Sequence, residues 1–426
     1  MAKEKVEAPY PTTAPEVLSA HDFSQGLYRD ANAQVDKTLA VLTQGVAVPR
    51  DSADVGTGAS PQVAQMVLAW AIVDRLRQMM QVETGQVWRV VPLKPGEKEQ
   101  QTCSKIERYL AAAWDRWIWQ VGSNPDRAAN WWYLATGRAY WEVRFRPEWL
   151  GTGLYPLQTI VDDPRTVFPV HGRSGLLWYT KKYKIYVREF ERDARLLRGP
   201  DPDLGFLADK KPDDLLEVVE YCDDQWYCVV VDEVNLVKTS RHKYNFVPLA
   251  EAHCLDTPLD DARWASQSVL GPILDHIRQY YTLLSKLATG VDLYFYPLIL
   301  YESPTGAGIV DPRRQPLEMT KIPAGAKLTV MNPTPNAQIL TLLMSMFKAD
   351  INLASLPEIA FGAEPQSLQS GFAVAQVISQ VEGAVRDKLP NFGRGMARHR
   401  SNQLRLYRQF ARAAVADFEV PVDFEE

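Results

Sequence analysis

The chain has 426 residues, 46% of them apolar, 23% charged and 10% aromatic, which excludes global disorder and fits a folded protein. Forty-seven basic against fifty-two acidic side chains leave a formal charge of -5, so the whole chain is no electrostatic sponge for nucleic acid, and any such contact is local or weak. Four scattered cysteines (Cys103, Cys222, Cys228, Cys254) form no CxxC pair and no disulfide framework, which points to a reducing compartment.

Met1 to Pro15 is charged and proline-rich without an apolar core, and no later apolar run approaches the roughly 18 residues of a membrane span, so neither secretion nor a membrane is expected. Residues 1 to 60 are rich in Ala, Pro, Thr, Asp and Gly and read as a loosely attached, partly disordered arm with one short helix near Ala31 to Leu42. Packing is expected to start near Pro61. Val63, Val67, Trp70, Ala71 and Asp74 share helical spacing, an extended stretch follows from Gln86 to Leu93, and a second helix runs from about Glu97 to Gln120.

Seven of the twelve tryptophans lie between Trp114 and Trp149, with Gly137 placed to end a helix before the strand Ala139 to Phe145. A large aromatic core is the expectation. A base-stacking platform would interleave cations on one face, and Arg127, Arg138 and Arg144 do not repeat at one spacing. From Leu157 to Lys238 the period becomes two: Tyr179, Lys181, Tyr183, Ile185 and Val187 alternate with Lys182, Lys184 and Tyr186, which predicts antiparallel hairpins around an exposed loop from Leu197 to Pro212.

Helices resume after Pro258. The first, from Pro272 to Thr289, has Ile273, Ile277, Tyr281, Leu284 and Ala288 on one side and Asp275, Arg278, Thr282, Ser285 and Lys286 on the other. The second, capped by Asn336, sets Leu340, Leu343, Phe347, Ile351 and Ala354 against Gln338, Thr341, Ser345, Lys348 and Asn352. Two strand-like pieces, Tyr294 to Tyr301 and Ala326 to Met331, lie between them. A short loop, Pro357 to Ser370, precedes a third long helix carrying Val374, Ile378, Val381, Val385, Leu389, Phe392 and Met396, which Pro390, Gly393 and Gly395 are expected to interrupt with a kink. Beyond it, Arg394, Arg398, Arg405, Arg408 and Arg412 form one basic stripe, and Asp417 to Glu426 is acidic.

Chemical motifs are sparse. The adjacent pairs Asp162-Asp163, Asp213-Asp214, Asp223-Asp224 and Asp260-Asp261 read as turns, since neighbours on a strand point to opposite faces and cannot jointly hold one cation. His242, His253 and Cys254 with Cys222 or Cys228 match no zinc spacing. Gly151-Thr152-Gly153 lacks the rest of a dinucleotide fingerprint, and GxxxxGK[ST] and Gly-x-Ser-x-Gly are absent, so neither an enzyme nor any cofactor or metal is expected.

This order of elements resembles the portal proteins of tailed double-stranded DNA bacteriophages, across roughly residues 61 to 420. Asn245-Phe246-Val247-Pro248-Leu249, Ser266 to Leu270, the helix from Pro272 and Leu298-Ile299-Leu300 look like the family's passage from sheet into stem. Thr159 to Val170, with Asp163-Pro164 and Val167-Phe168-Pro169-Val170, and Ser370-Gly371-Phe372-Ala373 also match its usage.

The resemblance implies an α+β portal fold: an antiparallel-sheet wing (61–262), stem helices (263–290 and 336–356), a small α/β clip (291–335), a tunnel loop (357–370), a long kinked wing helix (371–395) and a short helical crown (396–426). It implies a homo-oligomeric ring, usually of twelve copies, at one capsid vertex of the virion, assembled in the host bacterial cytoplasm. Double-stranded DNA would pass through it during packaging and ejection. The partners would be the large terminase motor, the major capsid and scaffold proteins, and a head-completion or tail adaptor protein, with no membrane. Ile359, Ala360, Phe361, Glu364, Gln366, Ser367 and Leu368 would approach the DNA channel, Lys286 and Lys348 are stem candidates, and Arg313, Arg314, Lys321 and Lys327 would lie in the docking clip. The arginine stripe has two readings, facing DNA or pairing with acidic residues of the adjacent subunit. The competing classes are another structural ring or adaptor of a virion and a metal-dependent nucleic-acid enzyme using the paired aspartates.

Overall fold

A computed structural model describes residues 11, 13–43, 67–80, 89–92, 96–149, 152–173, 175–191, 205–255, 267–295, 298–302, 327–331, 337–354, 383, 385–386 and 388–411. The chain divides into two compact units, one of Met1–Asp36, Val73–Val269 and Ile378–Glu426, the other of Lys37–Ile72 and Leu270–Val377. It is a mixed α+β protein, and every strand pairing described is antiparallel.

Helices α1 (Ala14–Thr43), α2 (Val67–Met80), α3 (Glu97–Val121) and α4 (Pro125–Thr136) precede the sheets. The strands are β1 (Arg138–Phe145), β2 (Leu157–Val161), β3 (Val167–Gly172), β4 (Gly175–Tyr186), β5 (Leu215–Cys222), β6 (Trp226–Val231), β7 (Asn235–Arg241) and β8 (Leu249–His253). After them come α5 (Leu274–Phe295), β9 (Leu298–Glu302), β10 (Lys327–Met331), α6 (Ala337–Ala354) and α7 (Lys388–Leu406).

In the first unit, β3 to β7 form a meander in sequence order, while β2, β1 and β8 form a three-stranded sheet in that order. Alternation assigns the layers. Val219, Tyr221, Cys228 and Val230 pack against Ala14 and Val17 of α1, and Tyr179, Leu216, Val218, Tyr227, Val229 and Val231, on the opposite face, pack against Tyr140 and Leu249 of the smaller sheet. The far face of that smaller sheet carries α3, α4 and α7: Val143 and Leu157 meet Tyr109, Trp114 and Trp117, and the Trp141 ring lies 5.3 Å from that of Phe392.

The predicted helix at Glu97 and the strands of the meander agree with these bounds. Gly137 ends α4 with φ at 84°, and a Cβ there would sit 2.5 Å from the Gln267 carbonyl carbon, so both the backbone angle and the close approach require glycine.

Several expectations need correction. The N-terminal segment holds a 30-residue helix rather than a short one near Ala31, and its first turns are tied into the first unit: His21 and Ser24 both bond the buried Thr180 hydroxyl, at 3.1 and 2.6 Å. Buried apolar spacing in Ala14, Val17, Ala31 and Val35 was masked by the polar and proline-rich text around it. In α2 the buried residues are Ala69, Ile72, Val73, Leu76 and Met80, so the face is rotated from the one expected, leaving Trp70 48% exposed and Asp74 bonded to Arg77.

Gly393 and Gly395 lie inside helix α7, which runs on past both of them, and residues 383, 385 and 386 before it are helical too; residue 387, the join at which Pro390 would kink the longer helix, lies outside the described residues. Leu389, expected on the apolar stripe, is exposed; Phe392, Met396, His399, Arg400, Gln403 and Leu406 form the buried one.

The second unit contains a helical hairpin. His276 near the start of α5 meets Asp350 near the end of α6, with the ring of Phe347 5.9 Å away, so the helices run antiparallel. Between them in the chain, β9 and β10 pair from Leu298 opposite Met331 to Glu302 opposite Lys327. Helix α5 runs on to Phe295, so the strand expected from Tyr294 starts at Leu298. Ile273, Ile277 and Tyr281 are buried as predicted, but so is Ser285, whose hydroxyl donates to the Tyr281 carbonyl at 2.8 Å.

Candidate functional site

Of the residues singled out in the sequence, Ile359, Ala360, Phe361, Glu364, Gln366, Ser367, Leu368, Arg313, Arg314, Lys321 and Arg412, with the pair Asp260-Asp261, lie outside the described residues. Lys286 and Lys327 fall on α5 and β10, and Lys348 is exposed on α6. The structure therefore brings together only the stripe of α7.

Two opposed faces make α7 what it is. Gly395 lets the helix approach the sheet, because a Cβ there would lie 2.7 Å from the Ala252 Cβ and 2.8 Å from the Glu251 carbonyl oxygen. On the same buried side, Arg400 donates to Asp126 Oδ2 at 2.7 Å and lies over the Trp114 ring at 3.3 Å, while Trp141 Nε1 donates to the other Asp126 oxygen at 3.0 Å.

Arg400 also fixes the tautomer of its neighbour. A guanidinium can only donate, so His399 Nδ1, 3.1 Å from Arg400 Nη1, carries the lone pair, and Nε2–H donates to Thr159 Oγ1 at 3.2 Å. Burial, and then the Arg400 charge, hold the His399 ring far below its ordinary pKa, so it is neutral.

The opposite side of α7 is exposed. Arg394 donates to Asn391 at 3.3 Å, Arg398 lies 3.9 Å from Glu251, and Arg405 covers the Phe246 ring at 5.4 Å. Residues Tyr407–Ala411 continue as a wider π turn, so Arg408 no longer follows the 3.6-residue phase of the stripe. Arg405 and Arg408 line a cleft of about 440 Å³ with Tyr244, Asn245, Phe246 and Gln409.

A buried ionic network between the two sheets of the first unit went unread in the sequence. Arg144 of β1 bridges Glu142 and Glu220, Lys181 reaches Asp162 at 2.7 Å and Glu142 at 3.6 Å, and Tyr227 donates to Glu220 at 2.7 Å. Burial alone would push the Glu220 carboxyl up; Arg144, Lys181 and the hydroxyls of Tyr183 and Tyr227 instead hold it at about 2. Burial pushes Asp162 up against the pull of Lys181. The signal was Lys181 on the otherwise apolar face of β4.

The aspartate pairs separate as expected of turns and ion pairs. Asp163 accepts from Arg165 N at 2.9 Å, Asp223 Oδ1 accepts from Gln225 N at 2.6 Å, and Asp214 accepts from Lys211 N at 2.8 Å. Among the described residues no His, Cys, Asp and Glu group could hold a metal. Cys222 Sγ lies 3.7 Å from His242 Nε2, but burial pushes the thiol up and the imidazole down, so both are neutral and the thiolate that nucleophilic chemistry needs is disfavoured.

No family model and no curated relative matches the chain. Among solved structures it is similar to a chain of the "Virion of native gene transfer agent (GTA) particle". The likeness covers 90% of this chain and 96% of that one, at 13% identity and a TM-score of 0.44. Among the described residues no helix is long and apolar enough to cross a membrane.

Proposed function

We propose that this chain is the subunit of a portal ring of a phage-like virion, a conduit for double-stranded DNA. The observation that carries the proposal is the exposed apolar flank of α6. Leu342 is 60% and Met346 55% exposed, one helical turn apart, on a helix whose other side already meets α5. A helical hairpin with both a packed seam and a bare apolar flank is completed by a copy of itself, and repetition of one heterologous contact closes a ring.

The order of elements supports the same reading: antiparallel sheets, a helix, a two-stranded excursion, an antiparallel helix, then α7. In this proposal α5 and α6 are the stem, with Lys286 and Lys348 as channel candidates. The β9–β10 pair belongs to the clip, where Arg313, Arg314, Lys321 and Lys327 meet the motor and later the adaptor. Ile359 to Leu368 form the tunnel loop, and the arginines of α7 belong to the crown. Net acidity with dispersed cations suits a conduit, since each cation held on a phosphate adds salt-dependent grip.

Native mass spectrometry tests this directly. A ring of twelve copies of the 48.1 kDa chain has a mass of about 577 kDa and an end-on hole in electron micrographs. A single-copy particle at high concentration refutes it. Replacing Ile359 and Phe361 by Asn is expected to impair DNA retention in assembled particles, and unchanged packaging and retention would remove the tunnel-loop assignment.

A further inference from the structure

The first unit is layered, with a helix on each outer side. Helix α1 covers one face of the five-stranded sheet, through Ala14 and Val17. On the far face of the three-stranded sheet lie α3, through Trp114 and Trp117, and α4, whose Asp126 takes the Trp141 indole N–H at 3.0 Å. Both outer layers leave apolar surface bare. On α1, Phe23 is 59% and Leu27 44% exposed, one turn apart, and the Phe23 ring rests 6.4 Å from that of Trp178. On the other outer layer, α3, α4 and β2 enclose a groove of about 1000 Å³, whose lining includes Trp117, Ile118, Val121 and Trp131, with Val121 47% exposed.

The two surfaces are opposite in charge. From Ala14 to Asp36, α1 carries Glu16, Asp22, Asp30 and Asp36 against the single cation Arg29. Asp22 and Asp30 are exposed on the row of side chains next to Phe23 and Leu27, with Gly26 between them. Arg127 lines the groove, and none of the groove's described lining is a carboxylate.

An exposed apolar pair on a helix, flanked by acids, is the complement of an apolar groove with a cation at its wall. The pair and the groove sit on opposite outer layers of one folded unit, so they do not meet within a chain, and a second copy supplies each with its complement. Contact between unlike surfaces of identical subunits repeats around a rotation axis. We propose that α1 of one copy docks in the groove of α3, α4 and β2 of the next, with Phe23 and Leu27 against Val121 and Trp131 and with Asp22 and Asp30 toward Arg127. The assignment rests on the ring reading and adds to it a contact made by the first unit, apart from the α6 flank of the second.

The test is directed cross-linking of the full chain with a short bis-maleimide, in a Cys103→Ser background because the other three cysteines are buried. Leu27→Cys and Val121→Cys are made in separate chains and mixed. A linked dimer of the two is expected, with at least tenfold less from either chain alone, and a chain carrying both substitutions is expected to give a ladder of linked copies. Linkage within the doubly substituted chain, or no linkage at all, overturns the proposal. Asp22→Arg combined with Asp30→Arg in the Leu27→Cys chain is expected to lower the linked yield at least tenfold, and Arg127→Asp in the Val121→Cys chain to restore part of it; an unchanged yield overturns the proposal. Leu27, Val121, Asp22, Asp30 and Arg127 are all exposed, so none of these substitutions removes a core side chain. Closed rings that do not cross-link refute this contact and leave the portal reading standing, whereas linked copies that never close into an annulus uphold the contact and refute the portal.

Discussion

Two glycines of α7, two residues apart, should respond to the same substitution with opposite signs. Gly→Ala inside a helix gains about 0.5–1 kcal/mol from backbone entropy and propensity where the added methyl meets nothing. Gly393 is such a place, exposed and with no atom within 4 Å of an added Cβ. At Gly395 the same methyl lies 2.7 Å from the Ala252 Cβ, 2.8 Å from the Glu251 carbonyl oxygen and 3.0 Å from Trp141 Cζ3. Main-chain oxygen and Cβ cannot rotate aside, and the Trp141 ring is wedged against Phe392 and bonded to Asp126. Overpacking of this kind costs about 1–3 kcal/mol, which exceeds the propensity gain and leaves G395A roughly 0.5–2 kcal/mol less stable. Urea denaturation followed by tryptophan fluorescence reads both variants, and A252G in the G395A background should recover part of the loss. If G395A stabilises the protein as G393A does, the close seating of α7 on β8 is wrong.

Arg400→Ala strands the Asp126 carboxylate, which is fully buried, and should destabilise by about 3–5 kcal/mol, whereas Arg405→Ala on the exposed face should change the urea midpoint little. Leu342→Asp with Met346→Asp should lower the mass of the assembled species in native mass spectrometry while leaving the circular dichroism of the subunit unchanged. Acidification is expected to lower the thermal midpoint between pH 7.5 and 5. His21, His242 and His399 are held neutral chiefly by burial, so the unfolded chain takes up protons below the ordinary 6.5 that the folded one refuses. His171 works the other way. Its bond to Glu251 at 2.6 Å raises its pKa, so its contribution is complete below about 6.5 and fades as pH rises through the raised value. H399Q should flatten the acid limb and H171Q should steepen it; the reverse ordering refutes these assignments.

The helix starting at Glu97, the glycine stop at Gly137, the alternating strands of the meander and the two helices flanking a strand-bearing excursion were all legible from local pattern. Each depends on residues within a few positions of one another: a cap, a period of 3.6 or 2, a turn. The site was less legible. Arg394, Arg398 and Arg405 could be placed on one exposed face of a helix by spacing alone, because such a face needs no partner.

What escaped was whatever depended on residues far apart in the chain. Arg400 lies off the phase of the basic stripe and nothing in the local sequence marks it; only Asp126, 274 positions away, makes it a buried anchor. Gly395 looked like a helix breaker until Glu251 and Ala252 were seen beneath it. Lys181 on an apolar strand face was a signal without an address until Asp162 and Glu142 supplied opposite charge. Periodicity says which side of an element is buried, but not what it is buried against. A buried charge or a missing side chain acquires its meaning from that second surface, which is assembled only when the chain folds.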